Sequence, residues 1–249
     1  TNYYWDMYST SKFREGQQKC GNYSHVGDCV NREHSFPKSW FKEGQPMKSD
    51  AFHVYPTDGK VNGQRSNFPY GECANGTTLP SSNGVDALGK LGKSTFPGYS
   101  GTVFEPVDEY KGDFARSYFY MAACYNDKIA SWSSPMLAGN SYPCYTTWAV
   151  NLLLKWNEQD PVSQKEIDRN NAVYKNQNNR NPFIDHPELA EYIWGDKQNI
   201  GWTPGGVVDP KITSPYNGST VDFGVTAVNT TLTYTVNVKA EGLTQSVAV

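Results

Sequence analysis

The chain has 249 residues, 37% hydrophobic and 19% charged. That balance is ordinary for a soluble globular protein and leaves room for one large domain, or a domain with a small appendage. No apolar run approaches the roughly 20 residues that span a bilayer. The net charge of -3 is unevenly spread: residues 1–70 hold nine Lys/Arg against seven Asp/Glu, and the rest hold 13 against 18. The N-terminal part is therefore the less acidic one, compatible with a polyanionic substrate there.

The opening "TNYYWDMYST" carries no signal-peptide pattern, consistent with a leader already removed. Residues 1–20 mix Tyr, Lys and Arg, and a helix is expected near their start. Cys20 and Cys29 in "CGNYSHVGDC" would close a short loop if bridged, as suits a secreted protein. With Cys73, Cys124 and Cys144 the count is five, so at least one thiol lacks a partner within the chain. Cys20, His25, Cys29 and His34 can also be read as a zinc site, though their spacing fits no usual finger pattern.

Short strand-like runs alternate with turns over residues 21–70. "VYP" followed by "TDG" reads as a strand ending in a turn, and "KVNGQRSN" as one short helix. Residues 71–113, rich in Gly, Ser, Thr and Pro, read as loops and hairpins. Within them "GVDALGKLGKST" imitates a phosphate-cradling loop. Leu91 stands where Ser or Thr must hold magnesium, so the motif is set aside. Helices are expected at 113–125 with Asp113 as N-cap, at 146–160 stopped by Pro161, and at 163–178 with a Ser163/Glu166 capping box. A short one is expected at 186–195, opened by Pro187 and closed by Gly195. Beyond Thr203 the texture changes, with Leu232, Tyr234, Val236 and Val238 alternating with polar residues as in a half-buried strand. The expected division is a first domain over 1–202 and a β-rich tail over 203–249, the start of a truncated sandwich-like module. Aromatics reach 14%, which favours surfaces that stack on something.

The chemistry gathers in "NREHSFPKSWF" and "DAFHVYPTDGKVNGQRSNF". A strand bearing an imidazole, a second strand, then a helix bearing a ligand is a ββα metal finger, in an α+β fold with added helices. Hydrolysing a phosphodiester needs a water deprotonated near neutral pH, which suits histidine. It also needs positive charge at the leaving oxygen, which a hard divalent ion on oxygen ligands supplies. Glu33 offers a carboxylate and Asn62 an amide oxygen. Arg65, or Arg116 in "FARSYFYM", could fork two phosphate oxygens. His53, in an alternating apolar stretch, reads as a structural histidine, and Asn67 as a turn residue.

"NREHSFPKSW", "DAFHVYPTDGKVNGQRSNF", "FARSYFYMAACY" and "RNPFIDHPELAEYIWG" together resemble the endonuclease I family of secreted bacterial nucleases, of the His-Me finger (ββα-metal) group, over roughly residues 1–200. The resemblance implies His34 as general base and Glu33 and Asn62 as ligands of Mg2+, or of another divalent ion such as Mn2+ or Ca2+. It also implies an endonuclease that is secreted, periplasmic or on the bacterial cell surface; a monomer without a membrane span is expected. Such an enzyme cuts DNA, and often RNA, with little sequence preference and leaves 5'-phosphates. Some members carry a further phosphate-clamping arginine between the two motifs. Residues 35–61 here offer only Lys38, Lys42, Lys48 and Lys60. The competing readings are a non-catalytic aromatic-rich surface module for glycan or protein, which rests on composition alone, and a finger acting on RNA alone.

Overall fold

A computed structural model describes residues 3–16, 18–203, 211–214 and 239–241. The chain divides into two compact units, residues 1–198 and 199–249. The first is α+β: small antiparallel sheets with a layer of helices.

Strand β1 (Val30–His34) pairs antiparallel with β2 (Val54–Asp58), and helix α1 (Gly59–Arg65) follows at once. The register places Arg32 opposite Pro56, Glu33 opposite Tyr55, and His34 opposite Val54. Because faces alternate along a strand, Glu33 and Tyr55 point into the core while Arg32 and His34 share the outer face. Asp58 ends β2 and caps α1: its Oδ1 accepts from the backbone N–H groups of Lys60 at 2.8 Å and Val61 at 3.0 Å. Its Oδ2 accepts from the Gly27 N–H at 2.7 Å, tying in the neighbouring loop.

That loop is closed by a Cys20–Cys29 disulfide, which removes the zinc reading, since both thiols are consumed. Cys73, Cys124 and Cys144 are free. The disulfide lies against the start of α1, where a Cβ on Gly59 would run into Cys20 Sγ. One turn on, a Cβ on Gly63 would stand 2.6 Å from the Tyr23 hydroxyl. The two glycines, four apart on one helix face, let the bridged loop pack flat on α1.

The glycine-rich stretch forms a hairpin of β3 (Lys90–Lys93) and β4 (Thr102–Glu105), so the phosphate-loop look-alike is in fact partly a strand. Helices follow: α2 (Lys111–Cys124), α3 (Asn126–Ile129), α4 (Thr147–Gln159), α5 (Gln164–Gln177), α6 (Pro182–Asp185) and α7 (Leu189–Ile193). The Ser163/Glu166 capping box is present. Asp113 does not cap α2; it lies inside the first turn, paired with Lys165. No helix forms among the described residues of the first 20. There the Asp6 carboxylate takes the Tyr8 N–H and the Ser9 and Ser11 hydroxyls, a local turn that competes with helix.

The aromatics that suggested a sticky surface are mostly interior. Phe36, Trp40, Phe41, Trp132 and Tyr118 pack edge and face against one another. Phe114, Tyr145 and Trp156 extend the same core. In the second unit β5 (Lys211–Ser214) pairs antiparallel with β6 (Lys239–Glu241). The strand expected over 232–238 lies outside the described residues. No described helix is long and apolar enough to cross a membrane.

Candidate active site

The outer face of β1, the segment after it and α1 enclose a groove of about 790 Å³. Glu33, His34, Asn62 and Arg65 line it, as do Arg32, Lys38, Lys48 and Asn67. Its charged residues are four cations and one carboxylate, a net +3 in a chain of net -3.

His34 is half-buried, and its Nε2 lies 3.0 Å from the Lys48 carbonyl. A carbonyl only accepts, so Nε2 carries the proton and Nδ1 keeps a lone pair. Burial lowers the His34 pKa from 6.5, and the nearby charges of Lys38, Lys48 and Arg32 push the same way. The imidazole is thus held neutral, oriented and able to take a proton. His53 packs beside it with ring centres 5.5 Å apart, fully buried and bonded to the Met47 carbonyl at 2.6 Å. Burial takes its pKa down to about 4. It is a neutral structural histidine, as its apolar neighbourhood in the sequence indicates.

Glu33 is 2% exposed. Its Oε1 accepts from Tyr8 Oη and from Arg65 Nη1, both at 2.8 Å. Both bonds fall on Oε1, so Oε2 is the oxygen that could serve a further cation. Burial raises the Glu33 pKa, opposed by Arg65 and by the Tyr8 and Tyr70 hydroxyls. Asn62 is half-exposed on α1, and its Nδ2 donates to the Arg32 carbonyl at 3.3 Å. This bond sets the amide so that Oδ1 is its acceptor end.

The two arginines read as phosphate forks are placed otherwise. Arg65 is 1% exposed. Besides Glu33 it donates to the His34 carbonyl at 2.9 Å and the Ser35 carbonyl at 2.6 Å, and its guanidinium lies 4.6 Å over the Tyr70 ring. It touches the groove but spends its donors on the strand that carries Glu33 and His34. Arg116 is 0% exposed and does not line the groove. Its Nε and Nη2 grip Glu166 at 2.6 and 2.7 Å, and Nη1 reaches Asn157 and the Asp160 carbonyl. It fastens α2 to α4 and α5.

The accessible cations are Lys38, Lys48 and Arg32. Glu43 holds Lys38 Nζ at 3.1 Å and Lys48 Nζ at 2.7 Å along the groove rim. Lys48 thus supplies a carbonyl to His34 and an ammonium to the rim, a double role with no sequence signature. Arg32, exposed beside His34, likewise carries no motif.

Among the described residues no three His, Cys, Asp or Glu side chains gather as a metal cluster. The donors at hand are one carboxylate and one amide oxygen. Hard ions accept such oxygens, and an ion held by so few protein groups keeps most of its water. The set therefore suits a loosely held Mg2+-like ion and not zinc.

Fold and groove define the class: an α+β protein whose polar site is carried on a strand–strand–helix unit. The sequence profile of the Endonuclease I family matches residues 1–188, and the chain belongs to that family. An extracellular ribonuclease of Bacillus amyloliquefaciens is 37% identical over 195 residues, covering 73% of this chain and 59% of the relative. One from Bacillus subtilis (strain 168) is 38% identical over 196 residues, covering 72% and 59%. An extracellular deoxyribonuclease of Aeromonas hydrophila is 27% identical over 139 residues, covering 56% and 50%. The chain thus spans about three fifths of the length of the curated Bacillus relatives it matches.

Proposed function

We propose that this chain acts as a secreted endonuclease of the His-Me finger type, hydrolysing phosphodiester bonds of DNA and RNA with little sequence preference and leaving 5'-phosphates. The observation that carries the reading is the placement of Glu33, His34 and Asn62 around one cationic groove by β1, β2 and α1. The names of the extracellular relatives support secretion and both substrates.

His34 takes the proton from the attacking water through Nδ1. The Lys48 carbonyl prevents the ring from turning and fixes that tautomer. Glu33 and Asn62 would hold the divalent ion, which would supply positive charge to the phosphate and the departing 3'-oxygen. Arg65 is a positioning residue: its charge opposes the rise that burial imposes on the Glu33 pKa, and it fixes the His34 and Ser35 carbonyls. Lys38 and Lys48 attract the backbone phosphates as point charges in place of an arginine fork. Such contacts read no bases, and affinity should fall with salt. The active species is a monomer.

The test is plasmid nicking. Nicking that EDTA abolishes, and that His34→Ala abolishes without unfolding the chain, is the expected result. Robust cleavage by His34→Ala would reject the mechanism. No nicking at all would favour the glycan- or protein-binding reading. Side-by-side digestion of DNA and RNA checks the substrate range.

A further inference from the structure

Beside the active groove a second pocket of about 480 Å³ opens on the same strand pair, and the two share Asn31, Arg32 and Val54. We propose that this pocket receives one unpaired nucleoside of the substrate, with Arg32 on the phosphate that joins it to the cut site. The proposal rests on the nuclease reading and adds a preference for single-stranded substrate.

The lining has two characters. Tyr4, Val30 and Pro56 give it flat and apolar surface beside the buried Tyr55, while Lys19 and Arg32 stand at its edge as exposed cations. Among the described residues no carboxylate lines it. Lys38 and Lys48 on the groove rim are engaged by Glu43. Lys19 and Arg32, by contrast, join no ion pair among the described residues. That combination matches a nucleotide: the base has two apolar faces, and the sugar attached to its edge carries the phosphate. Its size falls among small-ligand sites, about 300–1,000 Å³.

Spacing on the strand supports the continuity. Arg32 and His34 share the outer face of β1 two positions apart, about 6.6 Å along the strand. A cation one step from the proton acceptor is placed for the phosphate next to the scissile one. The pocket walls are fixed before any ligand arrives. Val30 N–H donates to the Gln18 carbonyl at 2.7 Å and Cys20 N–H to the Val30 carbonyl at 3.0 Å, laying residues 18–20 along β1. The Cys20–Cys29 disulfide closes the same wall. Tyr55 is pinned by the Arg169 guanidinium, 4.2 Å over its ring, and by Ser117 at its hydroxyl, 2.6 Å away. A base held in a duplex cannot enter without leaving its stack, whereas one on a single strand can. Stacking accepts any base, so the pocket selects strandedness and not sequence.

The experiment uses an end-labelled single-stranded oligonucleotide with one abasic site, digested briefly with Mg2+ and read as a cleavage ladder. The expected ladder shows cutting suppressed about tenfold at one fixed offset from the abasic site. Tyr4→Ala should fill that gap and bring the single-strand to duplex ratio of kcat/KM towards one. Lys19→Ala, at an exposed position, checks the same pocket without touching packed groups and should lower that ratio. A uniform ladder with the native chain, or a gap that persists unchanged in Tyr4→Ala, overturns the proposal. No ladder from an intact oligonucleotide with a chain that nicks plasmid overturns this proposal alone; failure to nick plasmid as well overturns the nuclease reading, and this proposal with it.

Discussion

The chain buries two arginines against two glutamates, and the pairs serve different ends. In the helical layer, Arg116 meets Glu166 with both carboxylate oxygens engaged, and the pair is closed on itself. In the strand–strand–helix unit, Arg65 reaches a single oxygen of Glu33 through Nη1, which also donates to the His34 carbonyl, while Nη2 donates to the Ser35 carbonyl just past β1. A bidentate pair neutralises its carboxylate and adds rigidity. A one-sided pair opposes the rise that burial imposes on the carboxylate pKa and leaves Oε2 without a bond from the arginine. Burial alone therefore does not separate structure from function; the distribution of hydrogen bonds over the carboxylate does.

The largest effect that would sharpen this contrast comes from the group the Arg65–Glu33 pair supports. His34→Ala should lower kcat by about 10²- to 10⁴-fold with the urea midpoint nearly unchanged, whereas a fall in stability of similar size would make His34 a structural residue.

Next come the arginines themselves. Arg65→Met and Arg116→Met should each cost about 3–5 kcal/mol in urea unfolding, because each strands a buried carboxylate. Pairing them with Glu33→Gln and Glu166→Gln should recover much of that stability in both cases. Cleavage should return only in the Arg116/Glu166 double variant, where Gln also preserves the capping box. Equal recovery of activity in both doubles would erase the distinction drawn between the pairs.

A smaller effect is expected from the brace behind α1. Gly59→Ala pushes a Cβ into Cys20 Sγ, and overpacking of this sort costs about 1–3 kcal/mol. Since α1 carries Asn62, the variant should also need more Mg2+ for half-maximal activity. The smallest change belongs to the rim: Lys38→Met should leave the melting temperature unaltered and reduce the slope of log K against log salt by about one.

Much of this was legible in the residues. The "VYPTDGKVNG" run announces a strand, a turn and a helix, and the Ser163/Glu166 box announces α5, because these signals are local. The pairing of β1 with β2 and the joining of Glu33, His34 and Asn62 came from resemblance, since a contact across about 30 positions leaves no periodic trace. Arg65 and Arg116 looked alike in sequence because an arginine's partner is chosen by the tertiary fold. Lys48 was invisible as a histidine holder because it acts there through its carbonyl, which every residue has. The aromatic count misled for a related reason: composition does not say which side of the surface a ring occupies.

The most direct test is anomalous diffraction from crystals soaked in Mn2+. The account predicts one ion within coordination distance of both the Glu33 carboxylate and the Asn62 amide oxygen, with His34 Nδ1 facing its water shell. A well-occupied ion that touches only one of the two side chains, or binds elsewhere, would contradict it.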